Sequence, residues 1–154
     1  MITMTQEKIM RLWTRMAMVL TLAMTPLIAS AQFKDLDVAM GNLTRGFGSG
    51  DAQAIVSGIG DGDQVQLQFP GLVSQSGMFG RDQAAYLLDG LFNKAKPVSF
   101  EPLNQRKVSA EGQYHITARW TIQVAGKPEA RDLYVILRSK NDHWSVVSVR
   151  SASQ

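Results

Sequence analysis

The chain has 154 residues, a formal charge of +3 and no cysteine, which gives room for one domain and excludes disulfides, thiolate metal sites, a cysteine nucleophile and lipoprotein-type acylation. With 45% hydrophobic and 19% charged residues the composition is globular rather than disordered. Much of the basicity lies in the first 31 residues, as Lys8, Arg11 and Arg15 against Glu7. Beyond them 13 basic residues face 12 acidic ones with no stripe to follow a phosphate backbone, so no nucleic-acid partner is expected.

The basic flank leads into an uncharged apolar run from Met16 to Ile28, interrupted by Pro26, and then into Ala29-Ser30-Ala31. A positive flank, a short apolar stretch, a helix breaker and small residues at alternate positions is the layout that a signal peptidase reads. The run is too short for a bilayer span of about 20 residues, and Pro26 interrupts it as a helix. The sequence therefore predicts a cleavable signal over residues 1–31, with Met10 as an alternative start, and a mature domain over 32–154. The mature form is expected in the periplasm or outside the cell, free of the membrane.

From Phe33 the apolar residues Phe33, Leu36, Met40, Leu43 and Phe47 fall at steps of three and four, which predicts an amphipathic helix. Gly46, Gly48 and Gly50 are expected to break it, Asp51 to cap a short second helix through Ile55 and Ile59, and Gly58, Gly60 and Gly62 to end that one. Val65, Leu67 and Phe69 alternate with glutamines as in a half-buried strand, and Pro70-Gly71 turns the chain. Residues 72–79 are expected to return as a shorter strand. A second amphipathic helix runs from Arg81 to Lys96, with Asp82 and the pair Lys94 and Lys96 matching its dipole and Pro97 stopping it. Four strands follow, at 98–108, 113–124, 130–139 and 144–151, separated by turn residues and paired consecutively and antiparallel. Pro102 and the polar residues near Asn104 predict a bulge in the first of the four.

In that order, the segments Ser49-Gly50-Asp51-Ala52, Val65-Gln66-Leu67, Gln83-Ala84 to Leu91-Phe92, and Pro97-Val98-Ser99-Phe100 resemble an exported bacterial family of unknown function in the nuclear-transport-factor-two-like, or cystatin-like, superfamily. The resemblance covers most of residues 33–151. It implies an α+β, cone-shaped fold, with helices packed on a strongly curved, mostly antiparallel sheet of about six strands. Its motifs are structural and carry no catalytic signature; the superfamily includes dehydratases, ketosteroid isomerases, ligand binders and interaction modules, so the fold leaves the function open.

Residue chemistry adds little catalytic signal. His115 alternates onto the polar face of its strand, where a solvated histidine outweighs a general base or ligand, and His143 falls in a turn with no second histidine at ligand spacing. Asp61 and Asp63 lack the later glutamate of a calcium loop. Gly46 to Gly50 follow a helix and lack the lysine of a P-loop, and Ser49 has no nearby base. An isomerase-like site needs a carboxylate and an oxyanion donor aimed into the cone, but periodicity turns Asp89 and Glu101 outward.

The expectation is a noncatalytic exported domain binding a small apolar ligand or a protein partner through the concave face or mouth of the sheet. Tyr86, Tyr114, Trp120 and Tyr134 are the candidate ligand-binding residues, with no metal and no cofactor. Core packing is the plainer reading for Tyr114 and Trp120. Tyr134 and Ile136 lie opposite Leu133, Val135 and Leu137 on their strand, so both faces carry apolar groups and a homodimer is a further expectation. The rival is a hydrolase, isomerase or dehydratase with an atypical acid–base pair, which predicts a carboxylate in a deep pocket beside Tyr86, Tyr114 or His115.

Overall fold

The structure, a computed structural model, describes residues 27–152, with side chains from residue 36 onward. The chain divides into two compact units, residues 1–33 and 34–154. The expected export segment lies outside the described residues, apart from the backbone of 27–31 at the start of the first helix. The elements are α1 (Leu27–Ser49), α2 (Ala52–Val56), β1 (Gln64–Gln68), β2 (Gly77–Gly80), α3 (Arg81–Lys94), β3 (Ala95–Val108), a single 3-10 turn (Ser109–Glu111), β4 (Gln113–Val124), β5 (Lys127–Lys140) and β6 (His143–Ser151). No helix among the described residues is long and apolar enough to cross a membrane.

The stripe on α1 behaves as its spacing dictates, with Leu43 and Phe47 buried and Leu36 and Met40 packed at the margin of the core. The glycines do not break this helix. It continues to Ser49, and the turn comes at Gly50, whose φ of +79° suits glycine. Gly46 is instead a packing residue: a Cβ there would lie 2.2 Å from Cγ1 of Ile55 on α2. Asp51 caps α2, its Oδ1 accepting from the Ala54 backbone N–H at 3.0 Å. Loss of an N-cap costs about 1 kcal/mol, so Asp51→Ala is expected to lower stability by that amount in urea unfolding, and Asp51→Asn to retain most of it.

The strand expected over 72–79 shrinks to Gly77–Gly80, because the turn takes up 70–72 and the chain over 73–76 is irregular. Helix α3 ends at Lys94, before the expected Lys96, and β3 starts at Ala95. The physical reason is Pro97, which disfavours helical geometry for Lys96, while the Ala95 N–H still bonds to the Leu91 carbonyl. Pro97 is thus a strand residue, tolerated because β3 is an edge strand.

The six strands form one curved sheet in the order β2-β1-β6-β5-β4-β3, with β1 parallel to β6 and the other pairs antiparallel. The pairing of β3 with β4 slips after Pro97 and again after Pro102, the second being the predicted bulge; the residues left over, Val98 and Leu103, project into solvent. Bulges increase local twist, and two of them along one 14-residue edge strand help curl the sheet. A third irregularity makes Val147 the extra residue of β6, so that Trp144 and Val146 face the helices before it and Val149 and Ser151 after it.

Ile116, Ala118, Trp120 and Ile122 of β4 and Leu133, Val135 and Leu137 of β5 cover the helix-facing side of the sheet. At its centre Phe47 has ring centroids 5.6–6.4 Å from Phe69, Phe92, Phe100 and Trp120. Trp120 is 0% exposed and donates from Nε1 to the Phe47 carbonyl at 2.8 Å. Such contacts contribute beyond area burial, and they fill the middle of the cone with side chains.

Candidate functional site

The four aromatic residues expected at a ligand site are not brought together. Tyr86 is 84% exposed on α3. Tyr134 is 44% exposed, on the face of the sheet turned away from the helices. Trp120 belongs to the packed centre. Only Tyr114 stands at the margin of the interior, where its hydroxyl donates to Gln105 Oε1 at 2.9 Å and its ring meets Trp144 edge-on at 6.3 Å.

That neighbour is the residue sequence reasoning passed over. Trp144 is 9% exposed and its buried Nε1 has no acceptor among the described residues. An unmatched donor out of water costs about 1–3 kcal/mol, so such a group calls for a partner. The other buried orphan, Ser151 Oγ, borders none of the openings described below.

Trp144 borders a cleft of about 180 Å³ between α1, α2 and the start of β6. Its apolar lining includes Ala39, Ala54, Ile55 and Val146, and the polar residues bordering it are Asn42, Ser57, His143, Ser145 and Trp144. Helix spacing sets the α1 side, since Val38, Ala39 and Asn42 lie within little more than one turn. Asn42 is fixed from both ends: Nδ2 donates to Ser57 Oγ at 3.1 Å, and Oδ1 accepts from Arg45 at 3.0 Å. Ser57 Oγ in turn donates to the Ala54 carbonyl at 2.9 Å. Gly58 lets α2 approach β6, because a Cβ there would stand 2.9 Å from the Trp144 carbonyl. The cleft is therefore edged by hydrogen-bonded Asn42 and Ser57 and bordered by a residue, Trp144, whose indole donor is unmatched among the described residues.

Of the remaining sequence candidates, His143 borders the cleft at the start of β6, and the others lie elsewhere. His115 is half-buried on the outer face and its Nε2 hydrogen-bonds to Gln113 Oε1 at 2.9 Å. Asp63 pairs with Lys140 at 2.9 Å and Asp61 approaches Arg81 at 3.6 Å, so cations take the place of a shared ion. Asp89 and Glu101 are exposed, as their periodicity indicates. No carboxylate lines the cleft, and none of the described Asp or Glu side chains is fully buried.

No protein-family model matches this chain, and no curated protein does. Solved structures do. A DUF4783 family protein from Bacteroides fragilis superposes with a TM-score of 0.58 at 17% identity, covering 73% of this chain and 96% of that one. An NTF2-like protein from Anabaena variabilis gives 0.59 at 16% identity, over 80% and 91% of the two chains. A hypothetical protein with a ketosteroid isomerase-like fold from Catenulispora acidiphila, in complex with trimethylamine, gives 0.58 at 11% identity, over 75% and 85%. With helices against one six-stranded, mostly antiparallel curved sheet, the chain has the nuclear-transport-factor-two-like fold, in company that includes a family of unknown function.

Proposed function

We propose that this protein is an exported, noncatalytic binding domain, released by cleavage after Ala31, that holds a small amphipathic molecule in the cleft between α1, α2 and β6. The observation that carries the reading is the buried Trp144 Nε1, a donor without an acceptor at a residue bordering a preformed cleft. The volume suits a compact molecule with one carbonyl or hydroxyl oxygen on an apolar body. The oxygen accepts from Trp144, and the apolar part lies on Ala54, Ile55 and Val146. The trimethylamine complex of the Catenulispora protein is a case of a small molecule held by this fold. The rival acid–base reading has less behind it: His143 is the one imidazole at the cleft, and no carboxylate stands there to complete an acid–base pair.

The test compares cyclohexanone with methylcyclohexane, two compact rings of which only the ketone accepts a hydrogen bond. The ketone is expected to bind about tenfold more tightly and to move the Trp144 indole resonance in NMR titrations, with Trp144→Phe abolishing the preference while leaving the fold intact. Equal binding of both rings, or binding that ignores Trp144, would overturn the assignment. Export has its own readout. The intact mass of protein recovered from the extracytoplasmic fraction is expected to begin at Gln32, whereas a membrane-retained chain with an uncleaved N-terminus would contradict it.

A further inference from the structure

The outer face of the sheet carries a second, separate feature. Two adjacent rungs cross it: Arg106, His115, Ile136 and Ser148 pair in sequence across β3, β4, β5 and β6, and Asn104, Thr117, Tyr134 and Arg150 do the same one step along. Between them lies a basin of about 320 Å³, floored by Ile136, Thr117 and Tyr134 and flanked by Arg106 and Arg150. Neither arginine forms an ion pair among the described residues, and no acidic side chain borders the basin. The next rung carries two carboxylates, Glu101 and Asp132, on either side of Arg119, which pairs with Asp132 at 2.7 Å.

We infer that this basin binds a small organic anion, a carboxylate on a flat apolar body. Its charge lies between the two guanidinium groups, and its body covers Ile136 and the Tyr134 ring. Charge complementarity selects this occupant. Arginine presents forked donors that match a carboxylate, and the basin itself is bordered by two arginines and no acidic side chain. The strand scaffold adds geometry, because side chains standing on paired strands about 4.8 Å apart are fixed more closely than groups on loops. The basin and the Trp144 cleft lie on opposite faces of the sheet, so the two assignments stand or fall separately.

Benzoate and its neutral isostere benzamide are the probes, followed by amide NMR on the purified protein. Saturable shifts centred on Thr117 and Ile136 are expected for benzoate, with benzamide at least tenfold weaker and the R106Q/R150Q double variant at least tenfold weaker for benzoate. Thr117→Glu, which keeps both arginines and places a negative charge on the floor, is expected to abolish binding. Equal affinity for the two probes, undiminished binding in either variant, or shifts confined to the Trp144 cleft would overturn the site. Sedimentation under the same conditions showing a dimer that Thr117→Glu dissociates would also overturn it, by assigning the face to a second copy.

Discussion

Trp120→Ala is expected to cost about 3–5 kcal/mol of unfolding free energy, the range for truncating a large buried aromatic. Trp120 is fully buried, contacts three phenylalanine rings and donates the bond that saturates the Phe47 carbonyl. Alanine removes the ring and leaves that carbonyl unmatched in a desolvated setting, so the cavity and polar terms add. Small domains have only about 5–15 kcal/mol in total. Trp120→Phe, which keeps a ring and loses the donor, is therefore the quantitative companion, expected to cost about half as much. Urea unfolding checks both: the midpoint falls with an unchanged slope. A loss below about 1 kcal/mol for the alanine variant would mean that the ring cluster does not fill the cone.

The second large effect is at Gly46, where the sign of a substitution is decided by competing terms. Alanine in place of a helical glycine gains about 1 kcal/mol in propensity, but the new Cβ would lie 2.2 and 2.7 Å from Cγ1 and Cδ1 of Ile55 and 3.1 Å from the Asp51 carbonyl. Overpacking of a fixed core costs about 1–3 kcal/mol, and here the obstacle is a buried isoleucine that has little room to move. Gly46→Ala is expected to be destabilising by up to about 2 kcal/mol net. Gly41→Ala on the same helix, with nothing within 4 Å of its Cβ position, is expected to stabilise by up to about 1 kcal/mol. In an Ile55→Ala background the Gly46→Ala penalty largely disappears, giving a coupling of about 1–3 kcal/mol in a double-mutant cycle. Additive effects would contradict the packing role.

These two residues show what the sequence carried and what it did not. Trp120 was legible as an inward residue, because β4 alternates without interruption and its period alone separates Trp120 from Thr121. Gly46 was not, because a glycine four residues before a turn reads the same whether it breaks a helix or admits a neighbour; only the position of Ile55 decides. Helix and strand boundaries shifted where local chemistry acts before the pattern changes, as at Lys96, which Pro97 forces out of the helix.

The site candidates divide in the same way. Tyr86 sits off the stripe formed by Ala84, Leu88 and Leu91, and Tyr134 alternates away from Leu133 and Val135, so their exposure follows from the periods that identified those elements. Choosing them gave aromatic character more weight than facing. Trp144 stands at the head of a strand whose alternation is reset by the extra residue Val147, and its unmatched indole depends on neighbours from two distant helices. The alternation of Trp144 with Val146 marks an inward face; nothing in sequence marks a missing acceptor. The unpaired character of Arg106 and Arg150 likewise emerges only from the register of four strands.

The measurement closest to the central claim is the indole region of a nitrogen–proton NMR spectrum, recorded while cyclohexanone is added and assigned with Trp144→Phe. Binding in the cleft predicts a saturable downfield movement of the Trp144 signal as its N–H acquires an acceptor, with shifts at Ala54 and Val146 and a stationary Trp120 signal. A stationary Trp144 signal at saturating ketone, or movement of Trp120 instead, would contradict the account.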